Sequence, residues 1–219
     1  MSSTAPSTTD VPRFGPTARW VHRTVAVLMT VCIVTAAILY VSSLAVLVGH
    51  RQIVEIVHVY AGFALPVPIV VGLASSSYRD DLRRLNRFAP TDRRWLRSKT
   101  RRDGTIPVGK FNAGQKLNGA LSAGSIIVLF VTGVLMYFPS LVGLSYRTGA
   151  TFAHDWFAFG VGLLVLGHMA FAFGDPEARR GMRTGRVSAS WARKEHGAWA
   201  KEMGVGAGGD DTPARRLGT

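Results

Sequence analysis

The stretch FAHDWFAFGVGLLVLGHMAFAF, residues 152 to 173, decides how the chain is read. Its roughly 22 residues, at about 1.5 Å each, are long enough to cross a hydrocarbon core about 30 Å thick. His154 and His168 stand 14 residues apart in it. At about 100° per residue, that spacing returns them to within about 40° of one helix face, about 21 Å apart along the axis. One face therefore carries an imidazole near each membrane surface. Imidazole is a good axial ligand for haem iron, so one helix offering it at two depths points to two haems stacked across a bilayer. The rest of the chain must then supply two more ligands.

Composition agrees with a membrane setting. Of 219 residues, 47% are hydrophobic although 26 are Lys or Arg, so apolar and basic residues must be segregated into blocks. A net charge of +13 also fits nucleic acid, but with apolar blocks present a lipid surface is the better partner and no nucleic-acid binding is expected. Cys32 is the single cysteine, which leaves no disulfide framework and no C-x-x-C-H for covalent haem attachment. Residues 1–12, rich in Ser, Thr and Pro, read as a disordered N-terminus without the pattern of a cleavable signal.

Four spans follow, at about 20–45, 53–74, 117–138 and 152–173, within a membrane domain over 13–174. His22 lies at the opening of the first. The second holds Glu55 and His58 near its start, and Pro66 and Pro68 predict a kink towards its end. Gly62, one turn beyond His58 on the same face, removes bulk where a flat ring could approach. A strongly basic connection over 75–116 precedes the third span, whose start is rich in small residues suited to close packing. After Gly174, residues 175–203 read as a surface region in which Asp175 caps a helix, and Trp191 and Trp199 mark an amphipathic helix lying on the membrane. Residues 204–219 read as a disordered tail.

Only Arg51 and Arg147 of the 26 basic residues fall in the loops after spans one and three. The positive-inside rule then puts both termini and the central connection in the cytoplasm of a multi-pass protein of the cell's inner membrane. The predicted fold class is all-α, a transmembrane four-helix bundle with a C-terminal amphipathic surface helix. With that orientation the histidines sort by depth into an outer pair, His58 with His154, and an inner pair, His22 with His168. His50 and His196, in a loop and in the tail, are read as having no special role. Glu55 either carries a proton or forms a salt bridge with a partner, or is a snorkelling end residue.

Several strings then look familiar: VGKFNAGQKLNG at 108–119, TG-x-x-M from Thr132 to Met136, HDW followed by a histidine 14 residues on, and PEARRGMRTGRVSASWARKEHGAW. They resemble the gamma subunit of membrane-bound formate dehydrogenases, a dihaem b-type cytochrome, over most of Arg13 to Glu202. The resemblance implies two haem b groups, with His58 and His154 on the outer iron and His22 and His168 on the inner. It implies electrons from a molybdenum or tungsten alpha subunit passing through an iron–sulfur beta subunit to the outer haem, the inner haem and then menaquinone. The quinone site it implies is Asn112, Gly114, Gln115 and His168. On this reading the chain is an electron-transfer subunit and not the formate-oxidising one, and heterotrimers could assemble further. Related dihaem cytochromes serve hydrogenases and thiosulfate reductases. Two other classes stay open: a histidine-based metal transporter, and a plain anchor whose basic loop and tail bind lipid or a soluble dehydrogenase.

Overall fold

Where the sequence runs without charge it folds into helix, because in a bilayer each backbone N–H and C=O must be satisfied within its own segment. The structure, a computed structural model, describes residues 10–100, 103 and 105–205. Residues 1–9 and 206–219, expected to be disordered, lie outside the described residues. Among the described residues four helical stretches are long and apolar enough to cross a membrane: Pro16–Tyr40, Arg51–Gly72, Ala113–Tyr137 and Leu144–Gly174.

Their ends depart from the expected ones for local reasons. Helix α1 (Pro16–Tyr40) begins four residues before the expected position 20, because Gly15 is extended and Pro16 suits a first turn. Arg19 and Arg23 are taken into this helix by donating to the carbonyl of Arg183, at 3.0 and 2.8 Å. Val41 is extended and a separate short helix, α2 (Ser42–Val48), follows it. The second span divides into α3 (Arg51–Ala64) and α4 (Val67–Gly72), so the break falls at Leu65–Pro66, where the prolines put it. Helices α5 (Ser76–Asn86) and α6 (Pro90–Arg97) occupy the basic connection. The third span, α7 (Ala113–Tyr137), begins at 113 and not 117, since Asn112 and Gln115 form a capping box at its start. Helix α8 (Leu144–Gly174) has 31 residues, or about 46 Å, and so outreaches the hydrocarbon core. Its extra turns are polar, and Thr148 and Thr151 donate back to the carbonyls of Leu144 and Arg147.

The C-terminal segment differs most from expectation. Instead of one amphipathic helix it forms α9 (Pro176–Thr184), a strand, α10 (Ala189–Glu195) and α11 (Gly197–Glu202). Gly185 adopts φ 87° and ends α9, and Ser188 caps α10. The strand, β2 (Arg186–Ser188), pairs antiparallel with β1 (Asp10–Pro12), Val11 opposite Val187. Residues 10–12 are thus ordered, although the sequence placed them in the disordered N-terminus. Trp199 is not laid on a surface: it is buried with Val11, Val187, Ala192 and Ala200 in a small core. A second core, Met29, Leu65, Ile126 and Val161, joins the four spans at mid-depth.

Arg180 clamps the β1 end, donating to both carboxylate oxygens of Asp10 at 3.0 and 2.6 Å. That hydrogen bond holds the Asp10 carboxyl below its ordinary range. A carboxyl lowered in the folded state adds stability above its unfolded pKa and loses it as pH falls through the folded value. Below about pH 4, hydrogen–deuterium protection of the Val11 and Val187 amides, corrected for intrinsic rates, is expected to fall before that of α7 and α8. Parallel loss across all three would refute the local clamp.

Candidate functional site

Four histidines meet in two pairs, each between different helices. The rings of His58 (α3) and His154 (α8) have centroids 6.3 Å apart, and those of His22 (α1) and His168 (α8) 6.1 Å. Two imidazoles that bind one iron from opposite sides, each about 2 Å away, have centroids about 6 Å apart. Both pairs therefore fit an axially coordinated haem iron. The 14-position spacing of His154 and His168 separates the pairs by about 21 Å along α8. Val161, midway between them, belongs to the mid-depth core, so one apolar layer divides two polar levels. A Cβ at Gly62 would meet no heavy atom within 4 Å, so protein packing does not demand the glycine beside His58.

Two threonines that the sequence reading missed complete one pair. Thr35 Oγ1 lies 2.9 Å from His58 Nδ1, and Thr132 Oγ1 lies 2.9 Å from His154 Nδ1. Both threonines are buried. Thr132 opens the TG-x-x-M string and could have been flagged by it, whereas Thr35 shares its apolar run with Thr24 and Thr30 and has no such signal. Among the described residues, hydrogen bonds join the rings of neither His22 nor His168 to a partner. Nor do three or more His, Cys, Asp or Glu converge on one point there. Glu55 and Asp155 are exposed.

The second predicted site, the segment before α7, is a meeting point for three parts of the chain. Asn112 Oδ1 accepts from the Gln115 N–H at 2.9 Å, and Gln115 Oε1 accepts from the Asn112 N–H at 3.0 Å. Their carbonyl oxygens are thereby engaged, while their side-chain NH2 groups can donate to an incoming carbonyl. Trp95 of α6 packs over Gly114, where an added Cβ would lie 3.3 Å from its ring. The tryptophan is a residue that sequence spacing gave no reason to place here.

Lys110 and Lys116, which could have been simple interfacial anchors, are internal ties. Lys110 is paired with Asp81 of α5, and Lys116 lies 2.8 Å from Asp92 of α6, with both pairs largely buried. His196 is 2% exposed and far from incidental: Nδ1 is 2.7 Å from the Gly109 carbonyl and Nε2 is 3.1 Å from Arg13. The Arg13 guanidinium also stacks on Trp191 at 4.6 Å. Burial pushes its pKa down to about 10, against the pull of Asp175 and Asp81, so it stays a cation at neutral pH. His50, by contrast, is exposed at the start of α3.

Four apolar helices with histidines paired between them are the architecture of a membrane cytochrome of the b type. The chain belongs to the prokaryotic cytochrome b561 family, whose sequence profile matches residues 13–184, and is thus an integral membrane protein of a family that carries haem b. It is 37% identical over 101 residues to the "Formate dehydrogenase, nitrate-inducible, cytochrome b556(Fdn) subunit" of Escherichia coli (strain K12), covering 44% of this chain and 46% of that protein. To the "Formate dehydrogenase, cytochrome b556 subunit" of Haemophilus influenzae it is 32% identical over 97 residues, 43% of this chain and 41% of the other. The matched region spans about half the length of these curated relatives.

The buried ties should outweigh the exposed ones. Asp92→Ala leaves the Lys116 ammonium buried without its counter-ion, hydrogen-bonded only to the Arg87 carbonyl, and is expected to cost about 3 kcal/mol, whereas Asp80→Ala, which loses an exposed partner of Arg83, costs under about 0.5 kcal/mol. Unfolding of the two variants in the same detergent measures the difference. Equal effects would show that Asp92 is not a tie.

Proposed function

We propose that the chain is the membrane-anchoring dihaem cytochrome b subunit of a formate dehydrogenase-type complex, which carries electrons from an iron–sulfur partner on the outer side to menaquinone near the cytoplasmic side. The observation that carries this reading is the pairing of four histidines at two depths, at the ring separation that two axial ligands require. Bound haem b would supply reversible one-electron redox chemistry at each level. His58 and His154 would hold the outer group, and His22 and His168 the inner.

The names of the two relatives favour formate over hydrogen or thiosulfate as the ultimate donor. Through the iron–sulfur beta subunit the chain would join a molybdenum or tungsten alpha subunit, and oligomers of such heterotrimers are compatible with the largely exposed spans. The orientation rests on charge: the N-terminal, central and C-terminal basic segments lie at the His22–His168 end, which is cytoplasmic by the positive-inside rule. A metal transporter would want several ligands converging at one depth, whereas here the histidines meet in twos.

Menaquinone takes up two electrons and two protons on becoming the quinol. On this reading the loop before α7 binds its head group. The Asn112 and Gln115 amides donate to a quinone carbonyl, Gly114 and the Trp95 ring offer a flat wall, and His168 stands at the same end of the bundle. Protons drawn from the cytoplasm there would couple the transfer to a gradient.

A reduced-minus-oxidised visible spectrum with extracted haem quantified per chain tests the ligand pairs. The intact protein should show two low-spin b haems, His58→Ala should lose one and His168→Ala the other. Intact, inserted protein without haem would sink the cytochrome reading in favour of an anchor or a transporter. For the quinone site, Gln115→Ala should raise the KM for a soluble quinone analogue about tenfold with both haem signals retained, a loss of about 1.4 kcal/mol of binding. An unchanged KM would remove Gln115 from the site.

A further inference from the structure

The two threonines beside the His58–His154 pair carry a consequence for the direction of electron flow. Each hydroxyl lies near one imidazole nitrogen and two carbonyls of its own helix, the farther carbonyl being Cys32 at 3.1 Å from Thr35 and Leu129 at 3.2 Å from Thr132. Thr35 Oγ1 is 2.6 Å from the Val31 carbonyl and 2.9 Å from His58 Nδ1, while Thr132 Oγ1 is 2.7 Å from the Val128 carbonyl and 2.9 Å from His154 Nδ1. A carbonyl can only accept, and a hydroxyl has one hydrogen to give. The shortest contact of each hydroxyl is the carbonyl one turn back, so the threonine is assigned as donor there and as acceptor from the ring. In that arrangement Nδ1 carries the ring proton, which leaves the Nε2 lone pair of both histidines free for a metal ion. The same arrangement appears on two different helix pairs, α1 with α3 and α7 with α8, and each threonine is 8% exposed.

We propose that Thr35 and Thr132 are matched positioning residues that fix the tautomer of both outer ligands and lower the reduction potential of the outer haem below that of the inner one. This rests on the bis-histidine reading above. A ring N–H that donates a hydrogen bond makes the opposite nitrogen a more basic ligand. A more basic axial ligand favours the oxidised over the reduced iron, so the potential falls. His22 and His168 have no such partner among the described residues. With haem bound at both levels, that difference would favour transfer of one electron from the outer group to the inner, with no proton exchanged between them.

The field at the inner end acts in the same sense. Arg19 and Arg23 flank His22 in sequence and are anchored to the Arg183 carbonyl at 3.0 and 2.8 Å. Fixed positive charge near a redox group favours its reduced form.

Potentiometric titration of the purified protein, followed in the visible spectrum, tests the proposal with Thr35→Val, Thr132→Val and the two Thr→Ser variants. Each Val variant should keep both haems and raise the potential of the outer one, about tenfold in the one-electron equilibrium or about 59 mV, while the inner potential stays put. The Ser variants, which retain the hydroxyl, should match the parent. Loss of the outer haem in a Val variant but not in its Ser counterpart would also support the hydroxyl as the holding group. Unchanged outer potentials in both Val variants, or the same change or haem loss in Val and Ser variants, would overturn the proposal. A parent protein without haem would instead defeat the underlying bis-histidine reading.

Discussion

The polar atom of a side chain inside a bilayer has no water to bond, so it must find its partner on the same or another helix. The Nδ1 atoms of His58 and His154 obey this rule through Thr35 and Thr132, and in doing so staple α3 to α1 and α8 to α7. Such bonds matter because lipid tails remove most of the hydrophobic drive that would hold the spans together in water. Helix α8 then links the two stapled pairs: its His154 faces α3 and its His168 faces α1. The four spans touch closely at Met29, Leu65, Ile126 and Val161, while most of their remaining surface is exposed. A bundle packed at its waist with a histidine pair on either side has its geometry set by side chains at three depths.

The basic end is held differently, by ion pairs and a small core. The segment 108–116 is approached from the N-terminus by Arg13, from the central connection by Asp81 and Asp92, and from the C-terminal segment by His196 and Trp199, whose N–H donates to the Val108 carbonyl. The chain's three basic parts therefore fold onto the start of α7. Exposed surface charges could not fix such a segment, since each exposed pair contributes little. The Lys110–Asp81 and Lys116–Asp92 pairs are buried enough to impose a unique position at the cost of desolvation. That rigidity is what a head-group site would need, because an amide misplaced by about 1 Å loses much of its effect.

The spans, the proline break and the depth-matching of histidines were legible in the sequence because each depends on a single segment: its length, its charge-free run, or its position along one axis. The pairs of spans followed from the positions of Arg51 and Arg147 in short loops. What was not legible depends on partners far away in the chain. Asp10–Pro12 becomes a strand only because Arg186–Ser188 lies beside it, about 176 residues on. Trp199 looked like an interfacial aromatic and is instead 2% exposed, since Val11 and Val187 cover it. His196 carried no local motif, and its partners Arg13 and Gly109 come from two other regions. Helix starts were misplaced where polar residues continue a helix beyond the apolar run, as at Leu144–Thr151.

The hydroxyl partners bear on how such a bundle can distinguish its two ends while using one ligand type throughout. Four identical imidazoles give no direction by themselves. Direction has to come from what surrounds them, and the surroundings differ: buried threonine acceptors at the short-loop pair, and flanking arginines at the basic end. On the proposed reading, the first makes the outer iron easier to oxidise and the second makes the inner iron easier to reduce, so both tilt the same way. The asymmetry also follows from membrane topology. On that reading arginine is retained mainly on the cytoplasmic side for insertion, with only Arg51 and Arg147 in the short loops, so a charge-based bias favours that end, and the outer pair is tuned instead by a neutral group buried in the helix interface. A threonine that returns its own hydrogen to its own helix meets that need, since it adds an acceptor without adding an unsatisfied donor.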